Sequence, residues 1–559
     1  MARRLYLTPT PRPFASFICL AKTSRIGGRL FSTGHIMPSD SDLFAYTSGR
    51  WIYVPPRGHY NDALRHHERG RVFNVPELRR LAAFSIHQKE EDVVGFEKLA
   101  EGGFNRSFLV TMQDKLRFVA RIPYPVTQPK SLVIASEVAT MDFLRSHGIP
   151  VPKVYRYSAS ADNPAGTEYI FMELVQGQNL GDIRFDLSER QRAKLVANLV
   201  QLKSRLFKLR FPASGSLYCC SDLPESNKVI FPSSVLANEG RFCIGPDTSL
   251  GLWYGRRLNL HVERGPYPDC LAVLNAGAKK EIAYLSKFGQ PLQPFQRLRR
   301  ETFYYQPQSH LDYIDTLKKY LHIAPSLIPR ANPALHRPVL RHPDLQPNNI
   351  FVSDKLKISG LIDWQQSTSD VSESLQEHTL PSNFNALALE EQYQQVELFR
   401  KRQLHYLYVK MTSEINPGHY NALAYDFSTL RRRLFNYASD PWECDNITLK
   451  SNLITLSQKW ADVTEGNPSP CPLVYSDTES DECLTLARAQ TEVDEQSKIC
   501  QDLIGVGNEG WVPLDQYEAA KARAITLKQD TLEAAETAEE RTRIEENWIF
   551  DDFCEDDYM

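Results

Sequence analysis

The chain lacks any run of about 18 apolar residues, so no bilayer-spanning helix is expected. It also lacks a CxxC pair. Its ten cysteines are scattered, with only Cys219 and Cys220 adjacent. This pattern argues for reduced thiols and against a structural zinc site or a disulfide framework. A strong net charge is missing as well: 65 Lys and Arg stand against 68 Asp and Glu, leaving -3. No basic patch with interleaved aromatics follows the first 39 residues, so no nucleic-acid partner is expected. No internal repeat is visible. What is present is ordinary for a soluble globular chain: 559 residues, 42% hydrophobic and 24% charged. That length suffices for two to four domains.

Charge is uneven at the two ends. Residues 1–39 hold Arg3, Arg4, Arg12, Lys22, Arg25 and Arg29 and no acid. This basic, acid-poor, Ser-containing composition reads as a mitochondrial transit peptide over 1–36, directing the chain to the matrix. Arg29-Leu30-Phe31-Ser32 resembles a matrix-protease cleavage site. At the other end, residues 530–559 hold twelve acids against two arginines. Such blocks are solvated tails, and this one is a candidate surface for protein partners.

Between the ends, residues 37–95 read as an extension. Residues 96–175 read as strand-rich, with GFEKLA, SFLVTM and LRFVARI as short apolar runs. A helix follows in SEVATMDFLRSHG, with Ser136 as its cap and Gly148 at its stop. VPKVYRYS and EYIFMELV then give two more strands. From 176 to 510 the pattern is mainly helical. In SERQRAKLVANLVQLKSRLFKL, Leu195, Leu199, Leu202 and Leu206 fall on one helical face. Residues 211–270, rich in Pro, Gly, Ser and Asn, read as an irregular insertion. Residues 511–559 read as one long exposed helix over 514–548, followed by the acidic tail. A strand-rich half followed by a helical half predicts an α+β protein of two lobes.

One stretch carries chemistry: RHPDLQPNNIF at 341–351, followed by LIDWQQ. NIFV and LKISGLI are short strands joined by SDK, so a hairpin is expected. Asp344 and Asn349 precede its first strand, and Asp363 follows its second. Because a hairpin returns to its start, the three side chains can converge. Two carboxylates and an amide at one sheet end suit a hard divalent cation, with one carboxylate left for base work. His342 is better suited to holding the loop than to proton transfer.

The spacing His342-x-Asp344-x4-Asn349, then Ile362-Asp363-Trp364, resembles the aminoglycoside phosphotransferase family, a small-molecule branch of the protein-kinase-like fold. That resemblance spans roughly residues 96–410 and implies a small β-rich N-lobe and a larger, mainly helical C-lobe. It implies Asp344, with His342 beside it, as the catalytic pair, and Asn349 and Asp363 as magnesium ligands. EGGFNRSF at 101–108 then falls where a nucleotide-covering loop belongs, with Gly102, Gly103, Asn105, Arg106 and Ser107 as phosphate contacts. Arg121 stands where a kinase carries its phosphate-gripping Lys, a departure because its fork is bulkier and differently aimed. Glu137 is placed to pair with it. YIFMELVQG resembles the hinge that meets adenine, through the Glu173 carbonyl and the Val175 amide. Within the family, the basic leader, the insertion and the helical tail look most like a fungal group named for altered inheritance of mitochondria.

Two functions follow. The first is an ATP-dependent, magnesium-requiring phosphotransferase acting in mitochondria on a small-molecule or protein hydroxyl. The second is a kinase-like scaffold without turnover, favoured by Arg121 and by the unorthodox glycine loop. The intact trio Asp344, Asn349 and Asp363 favours the first.

Overall fold

Strand alternation organises the first half of the chain. The computed structural model describes residues 43–51, 60–232, 240–342, 344–364, 384–466, 469–507, 510–551 and 558. The leader expected at 1–36 lies outside the described residues. The chain first forms β1 (Gly49–Trp51), α1 (Tyr60–Arg69) and α2 (Val75–Ser85). A five-stranded antiparallel sheet follows: β2 (Val93–Glu101), β3 (Asn105–Met112), β4 (Arg117–Pro123), then α3 (Lys130–Ser146), then β5 (Val154–Ser158) and β6 (Tyr169–Glu173). Its order is β2-β3-β4-β6-β5.

Successive side chains in a strand point to opposite faces, and both faces of this sheet are used. Phe108, Val110, Phe118, Ala120 and Ile122 pack on Leu78 and Ala82 of α2. Val119, Ile170 and Met172 pack on Ile134, Val138 and Met141 of α3. The expected cap at Ser136 is not used. The helix begins six residues earlier, behind Pro129, whose carbonyl accepts the Val133 amide at 3.0 Å. Ser136 is buried inside the helix instead. Gly148 does end it, at φ +69°, a backbone region that favours glycine.

The second half is mainly helical. After β7 (Gln178–Asn179), helix α4 (Glu189–Lys208) opens with a capping box between Ser188 and Gln191. Leu202 and Leu206 of its leucine face are buried. The 211–270 stretch is more ordered than its composition suggests. It forms β8 (Ser216–Cys219), β9 (Val229–Ile230) and β10 (Phe242–Gly245), in the order β8-β10-β9. Leu217, Phe242 and Ile244 cover Ala139 and Phe143 of α3, which is the apolar surface that draws the segment into a sheet. Helices α5 (Cys270–Phe288) and α6 (His310–Ile323) follow. Next come the hairpin β11 (Ile350–Val352) and β12 (Ile358–Leu361), and then α7 (Leu389–Ile415), α8 (Pro417–Leu423), α9 (Ser428–Ser439) and α10 (Ile447–Gln458). Leu317, Tyr320, Leu434, Leu449 and Leu453 form the core of this lobe.

The C-terminal region differs from expectation. After α11 (Asp477–Ile504), β13 (Trp511–Pro513) pairs antiparallel with β1, Trp51 opposite Trp511. The single exposed helix expected over 514–548 is two helices, α12 (Tyr517–Glu533) and α13 (Ala538–Glu546). Ala520 and Ala524, four residues apart on one face, are fully buried with Ile504, Val512, Trp548 and Phe550. The acidic end therefore carries an apolar anchor, and Asp551 is held by Lys528 at 2.7 Å. No described helix is long and apolar enough to cross a membrane.

One buried histidine is expected to make the helical lobe acid-sensitive. His419 of α8 stacks on Phe207 at 5.5 Å between ring centroids. Burial, then the charges of Lys203 and Arg341, push its pKa down to about 4. The folded chain thus holds His419 neutral where the unfolded chain, with its histidine near 6.5, takes up a proton. Stability is unaffected above about pH 7 and falls as pH drops from about 6.5 to about 4, by roughly 1–3 kcal/mol. Urea unfolding at stepped pH should show this slope, and His419→Gln should flatten it. An unchanged slope in the variant would overturn the assignment.

Candidate active site

The hairpin brings the expected residues together. The short turn Pro347–Asn349 leads directly into β11, whose Ile350 pairs with Leu361 of β12. Asp344, Asn349 and Asp363 therefore sit at one end of the hairpin. Asn349 is buried and donates its Nδ2 to the Asp344 carbonyl at 2.9 Å and to Asp344 Oδ2 at 3.2 Å. Gln346 donates to the same Oδ2 at 2.6 Å. Asp344 is otherwise exposed, with Oδ2 fixed and Oδ1 free of hydrogen-bond partners among the described residues. Such an arrangement orients one carboxylate oxygen outward.

His342 is a loop support. Its Nδ1 accepts the Asp344 amide at 3.2 Å, so its Nε2 carries the proton and donates to the Ile362 carbonyl at 2.9 Å. The ring packs on Trp364 at 4.4 Å and is buried. Burial lowers its pKa, outweighing the Ile362 hydrogen bond and the nearby Asp363 and Asp344. The expectation of a catalytic His342 is corrected on this geometry: both ring nitrogens are spent on backbone groups flanking the two aspartates.

Asp363 lies just beyond β12 at φ +65°, a left-handed conformation that Asp tolerates better than most residues. Strain of this kind aims a side chain where extended backbone would not. Its Oδ1 accepts Arg121 Nη2 at 2.6 Å, while Arg121 Nη1 donates to Glu137 Oε1 at 2.6 Å. Burial works against the Arg121 charge, but the two carboxylates more than offset it and raise its pKa. One guanidinium thus ties β4, α3 and the end of the hairpin across 242 residues of sequence. Lys is a point charge and cannot span both carboxylates in this way. Arg121→Lys should therefore cost about 1–2 kcal/mol, read as a lower urea midpoint. No change would mean the bridge adds nothing to stability.

The glycine loop is only partly as expected. Cross-strand partners share a sheet face, and Ser107 lies opposite Arg121 while Asn105 lies opposite Pro123. Both belong to the Arg121 face. Arg106 lies between them and points the other way, so its assignment to phosphate is corrected. It is buried, donates to Glu101 Oε1 at 3.0 Å and to the carbonyls of Leu43 and Phe44, both at 2.7 Å, and lies over Tyr124. Period-two alternation forbids three consecutive strand residues from facing one ligand. At the turn itself, the Gly102 amide bonds the Asn105 carbonyl at 2.9 Å, and a Cβ on Gly103 would meet nothing within 4 Å.

Past β6 the chain crosses between the lobes. The Glu173 side chain accepts from the Lys153 amide at 3.0 Å and from Arg145 at 3.2 Å, so it is turned to that side. The Val175 amide has no partner among the described residues, while the Val175 side chain lies against Gly360 of β12. Gly177, at φ +122°, brings the crossover against β11: a Cβ there would sit 2.5 Å from the Val352 carbonyl.

Sequence reasoning missed Gln346 and Asn179 and gave Trp364, though part of the motif, no role. Asn179 donates to the Asn348 carbonyl at 2.7 Å and anchors the loop. Gln346 and Trp364 stand two residues and one residue from the aspartates they support, which was the available signal. Asn179, distant in sequence, offered none.

Residues 95–370 match the model described as phosphotransferase enzyme family, APH. Over this stretch the chain is similar to that family, and its β-rich lobe followed by a mainly helical lobe is the two-lobed α+β arrangement expected. Among curated proteins, the chain is 29% identical over 506 residues to a subtelomeric hrmA-associated cluster protein of Aspergillus fumigatus, covering 81% of this chain and 96% of that one. It is 24% identical to altered inheritance of mitochondria protein 9, mitochondrial, of Saccharomyces cerevisiae, covering 78% and 76%. The Yarrowia lipolytica protein of that name is 23% identical, with 88% of each chain covered. Among solved structures, the streptomycin-ATP-APH(2")-IIa ternary complex is 13% identical, covers 70% of this chain and 99% of that one, and gives a TM-score of 0.33.

Proposed function

We propose that this chain is an ATP-dependent phosphotransferase that acts in mitochondria on a hydroxyl acceptor, either a small molecule or a protein. The observation that supports this most is the convergence of Asp344, Asn349 and Asp363 at one hairpin end, joined there by Arg121 and Glu137. The mitochondrial reading draws on the basic leader and on the names of the yeast relatives.

Asn349 spends its Nδ2 on Asp344 while its Oδ1 has no hydrogen-bond partner among the described residues, and Asp363 meets Arg121 through Oδ1. An amide oxygen and a carboxylate oxygen are a donor set that suits magnesium shared with substrate phosphates. When bound, magnesium supplies charge neutralisation on those phosphates. Asp344 orients the acceptor hydroxyl and accepts its proton through the free oxygen. Arg121, together with Ser107 and Asn105 on its sheet face and the amide of Gly103, faces the phosphates, while the Gly102 amide is spent on the Asn105 carbonyl. The Glu173 carbonyl and Val175 amide meet the adenine edge. Catalysis of this type is mostly positioning and charge stabilisation.

The scaffold reading draws on one observation, the Arg121 contact that already engages Asp363. Thermal melting with ATP, with and without magnesium, separates the two. A ligand present at 100 times its Kd adds about 2.7 kcal/mol. The phosphotransferase reading expects a magnesium-dependent rise in melting temperature that disappears in Asp363→Asn. A folded protein that shows no shift at millimolar ATP would overturn it in favour of the scaffold.

A further inference from the structure

The small sheet packed on α3 contains three of the chain's cysteines, and the strand register separates them into two faces. Cys219 of β8 lies opposite Phe242, while Tyr218 lies opposite Cys243 of β10. Cys219 therefore shares the face of Leu217, Phe242 and Ile244 that covers α3. Cys243 lies on the other face, with Tyr218. The Cys220 amide continues the ladder by one step, bonding the Arg241 carbonyl at 2.9 Å. Cys220 opens a short 3-10 turn there and packs with Cys243 in one cluster that includes Ala135 and Leu223. The Cys243 thiol donates to the Tyr218 carbonyl at 3.7 Å, and Cys220 packs beside it in that cluster.

The two thiols are unequal. Cys243 is fully buried and Cys220 is partly exposed. Burial first, then the neighbouring Cys220, pushes the Cys243 thiol up to about 12. A cation stands beside the pair: Lys228 donates to the Cys220 carbonyl at 2.9 Å and is held in place by Glu225 at 2.7 Å.

We propose that Cys220 and Cys243 form a reversible dithiol–disulfide site. In the first step the Cys220 thiolate attacks one sulfur of a small disulfide. That S–S bond breaks, a mixed disulfide forms, and one small thiolate leaves and takes up a proton. In the second step the Cys243 sulfur, after losing its proton, attacks the Cys220 sulfur and expels the second small thiolate. Two protein thiols are oxidised by two electrons, and one small disulfide is reduced to two thiols. Cys243 is fully buried and Cys220 is partly exposed, so burial fixes the order of attack.

The test exposes the full chain to glutathione disulfide, alkylates the remaining thiols and maps peptides by mass without reduction. Wild type is expected to give the Cys220–Cys243 bridge, cleaved again by dithiothreitol. Cys243→Ala is expected to stop at a glutathione adduct on Cys220, and Cys219→Ser to behave as wild type. The proposal is overturned if wild type retains the adduct without a bridge, links Cys219 to Cys220, or does not react. Should Cys243→Ala fail to fold, the wild-type map alone decides.

Discussion

Asp344→Asn is expected to lower phosphotransfer turnover by about 10²–10⁴-fold, the usual contribution of a positioned proton acceptor. The magnitude follows from what the substitution leaves intact. Gln346 and Asn349 hold Oδ2, and the backbone amide is held by His342. An amide side chain keeps the shape of the carboxylate but takes no proton from the acceptor. Asp344 is exposed and forms no ion pair among the described residues, so the change should move stability by only about 0.5 kcal/mol. The check is a comparison of wild-type and variant turnover with the acceptor, or of slow ATP hydrolysis until an acceptor is found, alongside their melting curves. A variant that keeps full turnover would remove Asp344 from the chemistry and leave the hairpin as a nucleotide-binding feature alone.

The second large effect is on stability and lies away from this site. Glu281 of α5 is fully buried with Arg257 and Lys280. Its Oε1 accepts from Arg257 Nη2 at 2.5 Å and from the Trp442 amide at 2.7 Å. Its Oε2 accepts from Arg257 Nε at 2.8 Å and from Lys280 at 2.9 Å. Lys280 also donates to the Ser439 carbonyl, and Arg257 stacks 3.6 Å over Tyr284. Burial alone would raise the carboxyl, but the two cations bring it down to about 2. Glu281→Gln removes the carboxylate that both buried cations share and should cost about 3–5 kcal/mol, read as a lower urea midpoint or as insoluble expression. The same linkage has a pH signature. The contribution is complete above the unfolded carboxyl value near 4.5 and is lost as pH falls toward about 2. A soluble Glu281→Gln protein with an unchanged midpoint would show that the triad relaxes around the loss.

The sequence by itself determined the elements whose signals are local. The strand runs from GFEKLA to EYIFMELV, the leucine face of α4 and the hairpin of NIFV with LKISGLI all lie within a few residues of their own cues. The spacing of Asp344, Asn349 and Asp363 was legible for the same reason: one short hairpin places all three, whatever surrounds it. Tertiary structure decided the rest. Arg106 and Arg121 read alike as cations near a glycine loop, yet strand parity turns one toward the N-terminal extension and the other toward Asp363. The 211–270 stretch has the composition of a loop, and the apolar surface of α3 makes it a sheet. The alanines and acids over 514–548 suit an exposed helix, and pairing of β13 with β1 folds them back against Ile504 and Trp548. These outcomes depend on contacts between residues tens to hundreds of positions apart, where burial of apolar surface outweighs local preference, and no local pattern in the sequence encodes that choice.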